Sequence, residues 1–165
     1  MKKSIALAFI CFGLSGYGQA FRGKKDLKFQ VGFNMQKQAN GIHVSVDKGL
    51  AENISVGIAS TYLLSTDNYL GGKKPNAEDL VDVKARFNAN IGDVFGLKPK
   101  IDVYPGLDLS FKNFGGHLGF RWFFSNGFGL YGEAGLPIKY YKRTVEDYGY
   151  FHNQFYVNVG TSFNL

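Results

Sequence analysis

The chain has 165 residues, a length that suits one domain with a sizeable core, and its 45% hydrophobic content excludes a disordered chain. The formal net charge of +6 falls to +4 without Lys2 and Lys3, and no basic helix or basic patch interleaved with aromatics accompanies it, which excludes nucleic acid as a partner. With 22 glycines, 4 prolines and 16% aromatic residues, the composition favours many short strands joined by turns.

The first 20 residues, MKKSIALAFICFGLSGYGQA, have the pattern of a Sec signal peptide. Two lysines form the charged start, an apolar run follows from residue 5 to residue 14, and Gly-Gln-Ala fits a small-residue cleavage site. The apolar run is too short to cross a bilayer as a helix. We therefore predict cleavage after Ala20, so that residues 1–20 are a signal peptide and residues 21–165 form the exported domain.

The only cysteine, Cys11, lies inside this apolar run and lacks the small preceding residue that lipid attachment requires. Its removal with the signal peptide would leave no disulfide and no thiolate ligand for a metal. The three histidines also lack the HxH or HxxxH spacing of a metal site. We therefore predict neither a metal site nor a cofactor.

Eight stretches of alternating polar and apolar residues follow, and each is typical of a β-strand with one apolar face. In chain order they span residues 26–36, 41–47, 53–64, 80–92, 100–111, 117–124, 128–137 and 153–165. The connection at 93–98 is predicted to be a turn. Two connections are long, 65–79 and 138–152, and they fall at the same end of an up-and-down meander as the shorter connections 38–40 and 112–116. Long loops at one end (the long-loop end) and tight turns at the other (the short-turn end) are typical of an outer-membrane barrel.

Pro105 interrupts the fifth stretch at a position that is expected to face outward. Proline lacks the N–H that a strand ladder uses, and a closed barrel has no free edge to accommodate the loss. We therefore predict a β-bulge at Tyr104-Pro105-Gly106.

The composition of the polar face of these stretches indicates whether the apolar face covers a protein core or faces lipid. The interior of an eight-stranded barrel is crowded and favours small residues, whereas a face exposed to water has no such requirement. The polar face is rich in small residues: Gly32, Ser45, Ser55, Gly57, Ala59, Gly106, Gly119, Gly129, Gly135, Gly160 and Ser162. This composition favours a polar lumen.

Aromatic residues gather at both ends of the stretches, as in the interfacial girdles of membrane barrels. Those toward the long-loop end are Tyr62, Tyr69, Tyr140 and Tyr141, and those toward the short-turn end are Phe95, Trp122, Phe124, Phe128 and Phe163. The stretches are also close to the ~9–11 residues that a tilted membrane strand needs. We predict an all-β, eight-stranded antiparallel up-and-down transmembrane β-barrel, with a soluble lipocalin-like barrel as the alternative.

The signal peptide, the eight stretches and the last strand, QFYVNVGTSFNL, resemble small outer-membrane barrels of the OmpX and OmpA-transmembrane-domain type. The segment PGLDLSFKNFGGHLGFRWFFSNGFGLYGEAGLP is similar to the porin-family "outer membrane protein beta-barrel" proteins of Bacteroidota. The resemblance covers residues 25–165. It implies a Gram-negative outer-membrane location, contact with membrane lipid and lipopolysaccharide, and recognition of the C-terminal strand by the barrel-assembly machinery. Many such proteins end in Phe, whereas this chain ends in Leu165, so Phe163 is expected to serve in that recognition.

A polar lumen would hold charges of both signs: Asp47, Asp82, Lys84, Arg86, Asp102, Asp108, Arg121 and Glu133. Buried charges are costly unless they are paired and hydrogen-bonded. Counting from the turns places Arg121 near Glu133, and it places Lys84 and Arg86 near Asp108. We predict that a network of Asp82, Lys84, Arg86, Asp108, Arg121 and Glu133 plugs the lumen, and a narrow small-solute channel is the alternative.

The long loops carry four basic residues: Lys73, Lys74, Lys142 and Arg143. Such residues could bind lipopolysaccharide phosphates or an extracellular partner, and ordinary solvated loop charges are an equally good interpretation.

His43, His117 and His152 lie toward the long-loop end, where a lipid A-modifying enzyme could use them. No serine has a recognisable nucleophile context, so we assign no catalytic residue and predict that the protein is not an enzyme. The predicted role is envelope structure, surface interaction or binding through the loops.

Overall fold

The computed structural model describes residues 19–66, 75–141 and 151–165. Its strands form one closed antiparallel barrel, in which consecutive strands pair and the last pairs with the first. The strands are β1 (Leu27–Gln36), β2 (Ala39–Gly49), β3 (Ile54–Thr66), β4 (Val81–Ala89), β5 (Ile101–Ser110), β6 (Asn113–Phe123), β7 (Phe128–Tyr140) and β8 (Tyr156–Asn164). The predicted all-β, eight-stranded up-and-down barrel is confirmed.

Short helical segments precede two of the strands. A 3-10 turn at Gly23–Lys25 precedes β1, and one helical turn, α1 (Ala77–Leu80), precedes β4. Neither of them, nor any other helix in residues 19–66, 75–141 and 151–165, has the length and hydrophobicity of a membrane-spanning helix.

Four strands are longer than their alternating patterns predicted. The segments 38–40 and 112–116 were expected to be connections, but β2 begins at Ala39 and β6 begins at Asn113. The strand register shifts between Asn40 and Gly41 and again between Phe114 and Gly115, which breaks the two-residue period at these ends. β3 and β7 likewise continue past their predicted ends at residues 64 and 137. The predicted turn at 93–98 is confirmed by backbone hydrogen bonds such as Gly96 N to Asp93 O, at 3.0 Å.

The burial pattern along each strand places polar side chains inside the barrel and apolar side chains outside. In β4, Asp82 and Arg86 are buried, whereas Val83 and Phe87 are 50% and 44% exposed. The same alternation occurs in β6, where Arg121 is buried and its neighbours on both sides alternate in burial. This arrangement is the reverse of a soluble barrel, whose apolar residues line the interior.

No bulge occurs at Pro105, so that prediction is wrong. The register between β5 and β6 runs regularly through this residue. Ile91 N donates to Val103 O of β5 at 2.9 Å. In an antiparallel pair every second residue bonds to the same neighbouring strand. Two residues further along β5, the Pro105 nitrogen therefore faces Ala89 of β4. The β4–β5 ladder ends one step earlier, at Asn88 and Gly106. The missing donor is therefore accommodated by a gap in this ladder.

The segment that precedes β1 lies across the short-turn end of the barrel. Ala20 and Phe21 are buried, and Ala20 N donates to Pro99 O at 2.6 Å. Asp26 and Lys28 form a buried ion pair at the start of β1. Residues 1–18 lie outside the described residues, and the signal peptide with its cleavage after Ala20 stays a prediction.

Candidate functional site

The charged residues predicted for the lumen all lie inside the barrel. All six are buried: Asp82, Lys84, Arg86, Asp108, Arg121 and Glu133. Asp47 and Asp102, which the alternation also placed inward, are buried with them. Inward-facing positions were predictable because strand side chains alternate strictly between the two faces.

Arg86 forms the centre of this network. Its Nη2 lies 2.5 Å from Glu133 Oε2 and 3.0 Å from His117 Nε2, and its Nε lies 3.4 Å from Asp47 Oδ1. Arg86 stands opposite Asp108 in the β4–β5 register, as predicted. Its guanidinium nevertheless pairs across the lumen, with acids on β2 and β7.

Arg121 extends the network toward the short-turn end. Its Nη2 lies 2.8 Å from Asp47 Oδ2, its Nη1 lies 3.6 Å from Asp102 Oδ2, and its guanidinium carbon lies 3.8 Å from the centre of the Tyr104 ring. The predicted pairing of Arg121 with Glu133 is wrong. The prediction considered adjacent strands only, whereas a guanidinium in a narrow lumen reaches strands that are not its neighbours.

Asp108 and Lys84 also have partners that strand adjacency did not identify. Asp108 Oδ2 lies 3.0 Å from His117 Nδ1 and accepts a hydrogen bond from the Tyr156 hydroxyl at 2.8 Å. Lys84 Nζ lies 4.0 Å from Asp82 Oδ2 and 4.7 Å from the Tyr156 ring centre. The predicted pairing of Lys84 with Asp108 is therefore replaced by a pairing with Asp82.

Four aromatic rings that sequence reasoning missed fill the lumen between the charges, and each stands opposite a glycine on the neighbouring strand. The pairs are Tyr104 with Gly119, Phe123 with Gly129, Tyr131 with Gly160, and Tyr156 with Gly135. A Cβ on Gly119 or Gly135 would overlap the ring opposite. The sequence signal that could have predicted these rings was an inward glycine at the position opposite each inward aromatic residue.

The remaining space in the lumen is small. A cavity near the long-loop end is only about the size of one water molecule, and residues from seven strands line it, including His43, Lys84 and Glu133. The network and the aromatic rings therefore occupy much of the interior that the described residues enclose.

The three histidines are held by separate partners. His43 Nδ1 lies 3.1 Å from Thr61 Oγ1, His117 bridges Asp108 and Arg86, and His152 Nε2 donates to Asp79 O at 2.9 Å. Within the described ranges, no three or more His, Cys, Asp or Glu residues are placed to hold a metal ion.

Two segments close the long-loop end, and we call α1 and residues 151–153 together the cap. Lys112, in the turn between β5 and β6, donates from Nζ to the carbonyls of Glu78, Asp79 and Val81 at 3.0, 3.2 and 2.6 Å. Asn113 Nδ2 donates to the carbonyl of His152 at 3.0 Å. Phe151 packs in an apolar cluster with Ala39 and Leu63, and Leu80 of α1 packs against it. These contacts hold the two segments to each other and to the barrel.

Burial, as the larger cause, and the nearby Lys112 ammonium together lower the pKa of His152 to about 3. Burial also lowers the pKa of Lys112, while Asp82 and Asp79 oppose this shift.

The four basic loop candidates, Lys73, Lys74, Lys142 and Arg143, lie outside the described residues, and their binding role stays a prediction.

The barrel is similar to a solved structure titled "De novo design of transmembrane beta-barrels", with a TM-score of 0.54 and 9% sequence identity over 87% of this chain and 98% of that chain. At this identity the likeness concerns the fold alone. None of the curated proteins matches the sequence. A family model does match residues 11–165, which is nearly the whole chain. The chain therefore belongs to this family, which is described as a family of unknown function, DUF6646.

Proposed function

We propose that this protein is an outer-membrane β-barrel of a Gram-negative envelope, with a plugged lumen and a structural, surface-interaction or loop-mediated binding role. The observation that carries the proposal is the reversed burial of the barrel. Phe33, Ile58 and Leu118 on the outside are 70%, 63% and 56% exposed, while Arg86 and Arg121 inside are 3% and 0% exposed. Soluble proteins rarely expose a contiguous apolar patch larger than a few hundred Å².

A chain of aromatic contacts on the outer face supports a membrane interface at the short-turn end. Ring centres are separated by 6.0 Å between Trp122 and Phe124, 5.1 Å between Phe124 and Phe128, 5.3 Å between Phe128 and Phe163, and 6.1 Å between Phe163 and Phe29. These rings follow one another across β6, β7, β8 and β1. Aromatic girdles at this level are typical of membrane barrels, where amphipathic rings prefer the headgroup region.

The proposal includes the orientation and the partners. A Sec signal peptide exports the chain, and the short-turn end with both termini faces the periplasm. The outer face contacts membrane lipid and lipopolysaccharide, and the C-terminal strand engages the barrel-assembly machinery. No enzymatic step is assigned, because within residues 19–66, 75–141 and 151–165 the side-chain partners recorded for the histidines include no serine, and these partners hold the rings in place.

Fractionation of cells that express the protein tests the location. We expect the protein in the outer membrane, with a gel migration that changes on boiling because the barrel resists unfolding until it is heated. Recovery in the soluble periplasmic fraction would contradict the proposal.

A charge on the outer face gives a sharper test. In lipid vesicles we expect Ile58→Lys to lower the free energy of unfolding by about 2–4 kcal/mol, because lysine is costly in the apolar part of a bilayer. Glu52→Lys, in the exposed turn between β2 and β3, is the matched control and should change little. A soluble barrel, whose Ile58 already faces water, would tolerate both substitutions equally.

A further inference from the structure

The cap at the long-loop end has one titratable side chain at its centre. His152 is 4% exposed, donates from Nε2 to the carbonyl of Asp79 in α1, and accepts from Asn113 through its own carbonyl. Its ring also lines the small cavity at the top of the lumen. The histidine therefore joins both cap segments to the lumen below them.

We propose that the cap is a pH-sensitive lid, which stays closed while His152 is neutral and is released when His152 is protonated. This inference goes beyond the proposed function, because it depends on the described contacts at the barrel mouth and not on the membrane. Release would expose the cavity and the side chains of Lys84 and His43 to the outside. Arg86 and Glu133 line the floor of this cavity, and their ion pair would remain in place, as would the ion pairs of Arg121.

The charged groups around His152 favour its neutral form. Lys112 on the β5–β6 turn and Lys84 on β4 are the cations that act on it. Two acids among the described residues have other neighbours. The Asp79 carboxylate accepts from Asn76 N at the start of α1, and Asp82 lies beside Lys84.

The remaining groups that line the cavity offer no free charge of opposite sign. Asp108 on β5 is bonded to His117 and Tyr156, and Glu133 on β7 is bonded to Arg86. Gln36 of β1 and His43 of β2 are uncharged neighbours in the same lining. A proton added to the buried imidazole would therefore be poorly solvated and repelled by the two lysines, and these effects outweigh the hydrogen bonds to the Asp79 and Leu80 carbonyls, which favour the protonated form.

The pH window follows from the two states of the histidine. Burial and Lys112 hold the pKa of His152 at about 3 in the closed lid, whereas a histidine in water titrates near its ordinary value of 6.5. Below pH 6.5 the open state binds a proton that the closed state does not bind. The stability of the closed lid is therefore complete above pH 6.5 and is lost progressively as the pH falls toward 3.

A cysteine beneath the lid provides the measurement. Thr61 lines the cavity and is 7% exposed, so Thr61→Cys, in a chain without Cys11, reports access from outside. The labelling rate of the folded barrel in micelles is measured with dithiodipyridine, a disulfide reagent that reacts with thiols at acid pH. Each rate is divided by the rate of the same reporter in His152→Gln, whose neutral amide does not titrate. This ratio removes the pH dependence of the thiol itself.

Between pH 7.5 and pH 4.5 we expect this ratio to rise by about 100-fold, a factor of ten for each pH unit below 6.5. A second reporter, Ser45→Cys, lies deep in the lumen beside Gln30, and its ratio should stay constant. A permanently charged variant, His152→Lys, should label rapidly at both pH values. A flat Thr61→Cys ratio would overturn the proposal, and so would a parallel rise in the Ser45→Cys ratio, which would indicate opening of the whole barrel.

Discussion

At the scale of single residues, the lumen is filled by pairs of a large ring and a glycine. Tyr131 stands opposite Gly160, and Gly160 in turn faces Gly32 across the β1–β8 pairing. A Cβ on Gly160 would overlap the backbone of Val31 and Gly32, which cannot move aside as a flexible side chain could. The small inward residues therefore set the width of the barrel, and the rings opposite them fill it.

Two glycines of neighbouring strands allow a matched test of this packing. Gly160 faces inward on β8, whereas Gly132 on β7 has open space where a Cβ would stand. We expect Gly160→Ala to destabilise the barrel by about 2 kcal/mol or more through overpacking, and Gly132→Ala to be neutral or slightly stabilising. Urea unfolding midpoints in micelles measure both effects. Equal midpoints for the two variants would show that the interior is not tightly packed at this position.

The sequence determined which residues face inward but not which of them touch. The two-residue period places Asp82, Lys84 and Arg86 on one face whatever the barrel dimensions are. Partners depend on the strand tilt and on the diameter, because side chains such as Arg121 reach across the lumen to strands that are not adjacent. Neither quantity can be read from alternation along one strand, so the Arg121–Asp47 contact was not predictable. The cap was not predicted either, because α1 has only four residues, too few to show a helical period in the sequence.

At the scale of elements, β4 and β5 form the seam with the shortest ladder. It runs only from Lys84 and Ser110 to Asn88 and Gly106. Beyond the end of the ladder nearer the short turns, the Pro105 nitrogen faces Ala89 without a proton to donate. Beyond the end nearer the long loops, the side chain of Lys112 donates to the carbonyl of Val81 where strand pairing has stopped. This seam is therefore the place where the barrel wall is expected to open most readily.

Replacing the proline tests this view of the seam. We expect Pro105→Val to restore a hydrogen bond to the Ala89 carbonyl and to stabilise the barrel by about 1 kcal/mol. Amide hydrogen exchange should slow at Ile91, whose N–H bonds to Val103 on the same seam. Leu118→Val, at the outward position that pairs with Pro105 on β6, controls for the β-branched side chain. Faster exchange at Ile91 in Pro105→Val would contradict the assigned geometry.

At the scale of the whole molecule, described segments lie over both ends of the barrel, and buried side chains occupy the lumen between them. The segment 19–26 lies across the short-turn end, the cap covers the long-loop end, and the charge network with its aromatic rings occupies the space between. In an eight-stranded barrel the interior is about as wide as the side chains that fill it. A barrel of this kind should insert in a membrane without forming a pore.

Planar bilayer recordings test the plugged lumen. We expect no stepwise conductance from the purified barrel at neutral pH, and none from Arg86→Met, which removes the central guanidinium without adding a charge. Insertion is verified on the same sample by the heat-dependent change in gel migration. A conductance that changes with Arg86→Met would instead favour the narrow small-solute channel.

The pairing of β1 with β8 also bears on how the chain folds. Asn34 Nδ2 donates to Asn158 Oδ1 at 2.7 Å, although the two residues are 124 positions apart in the sequence. Hairpins such as β5–β6 form from local contacts, but ring closure must overcome the entropy of a loop that contains almost all of the barrel. Asn34 illustrates the consequence, because its side chain reaches Asn158 of β8 only after that closure. We infer that folding is slow and that closure is its late, rate-limiting event, before which the interior charges remain solvated.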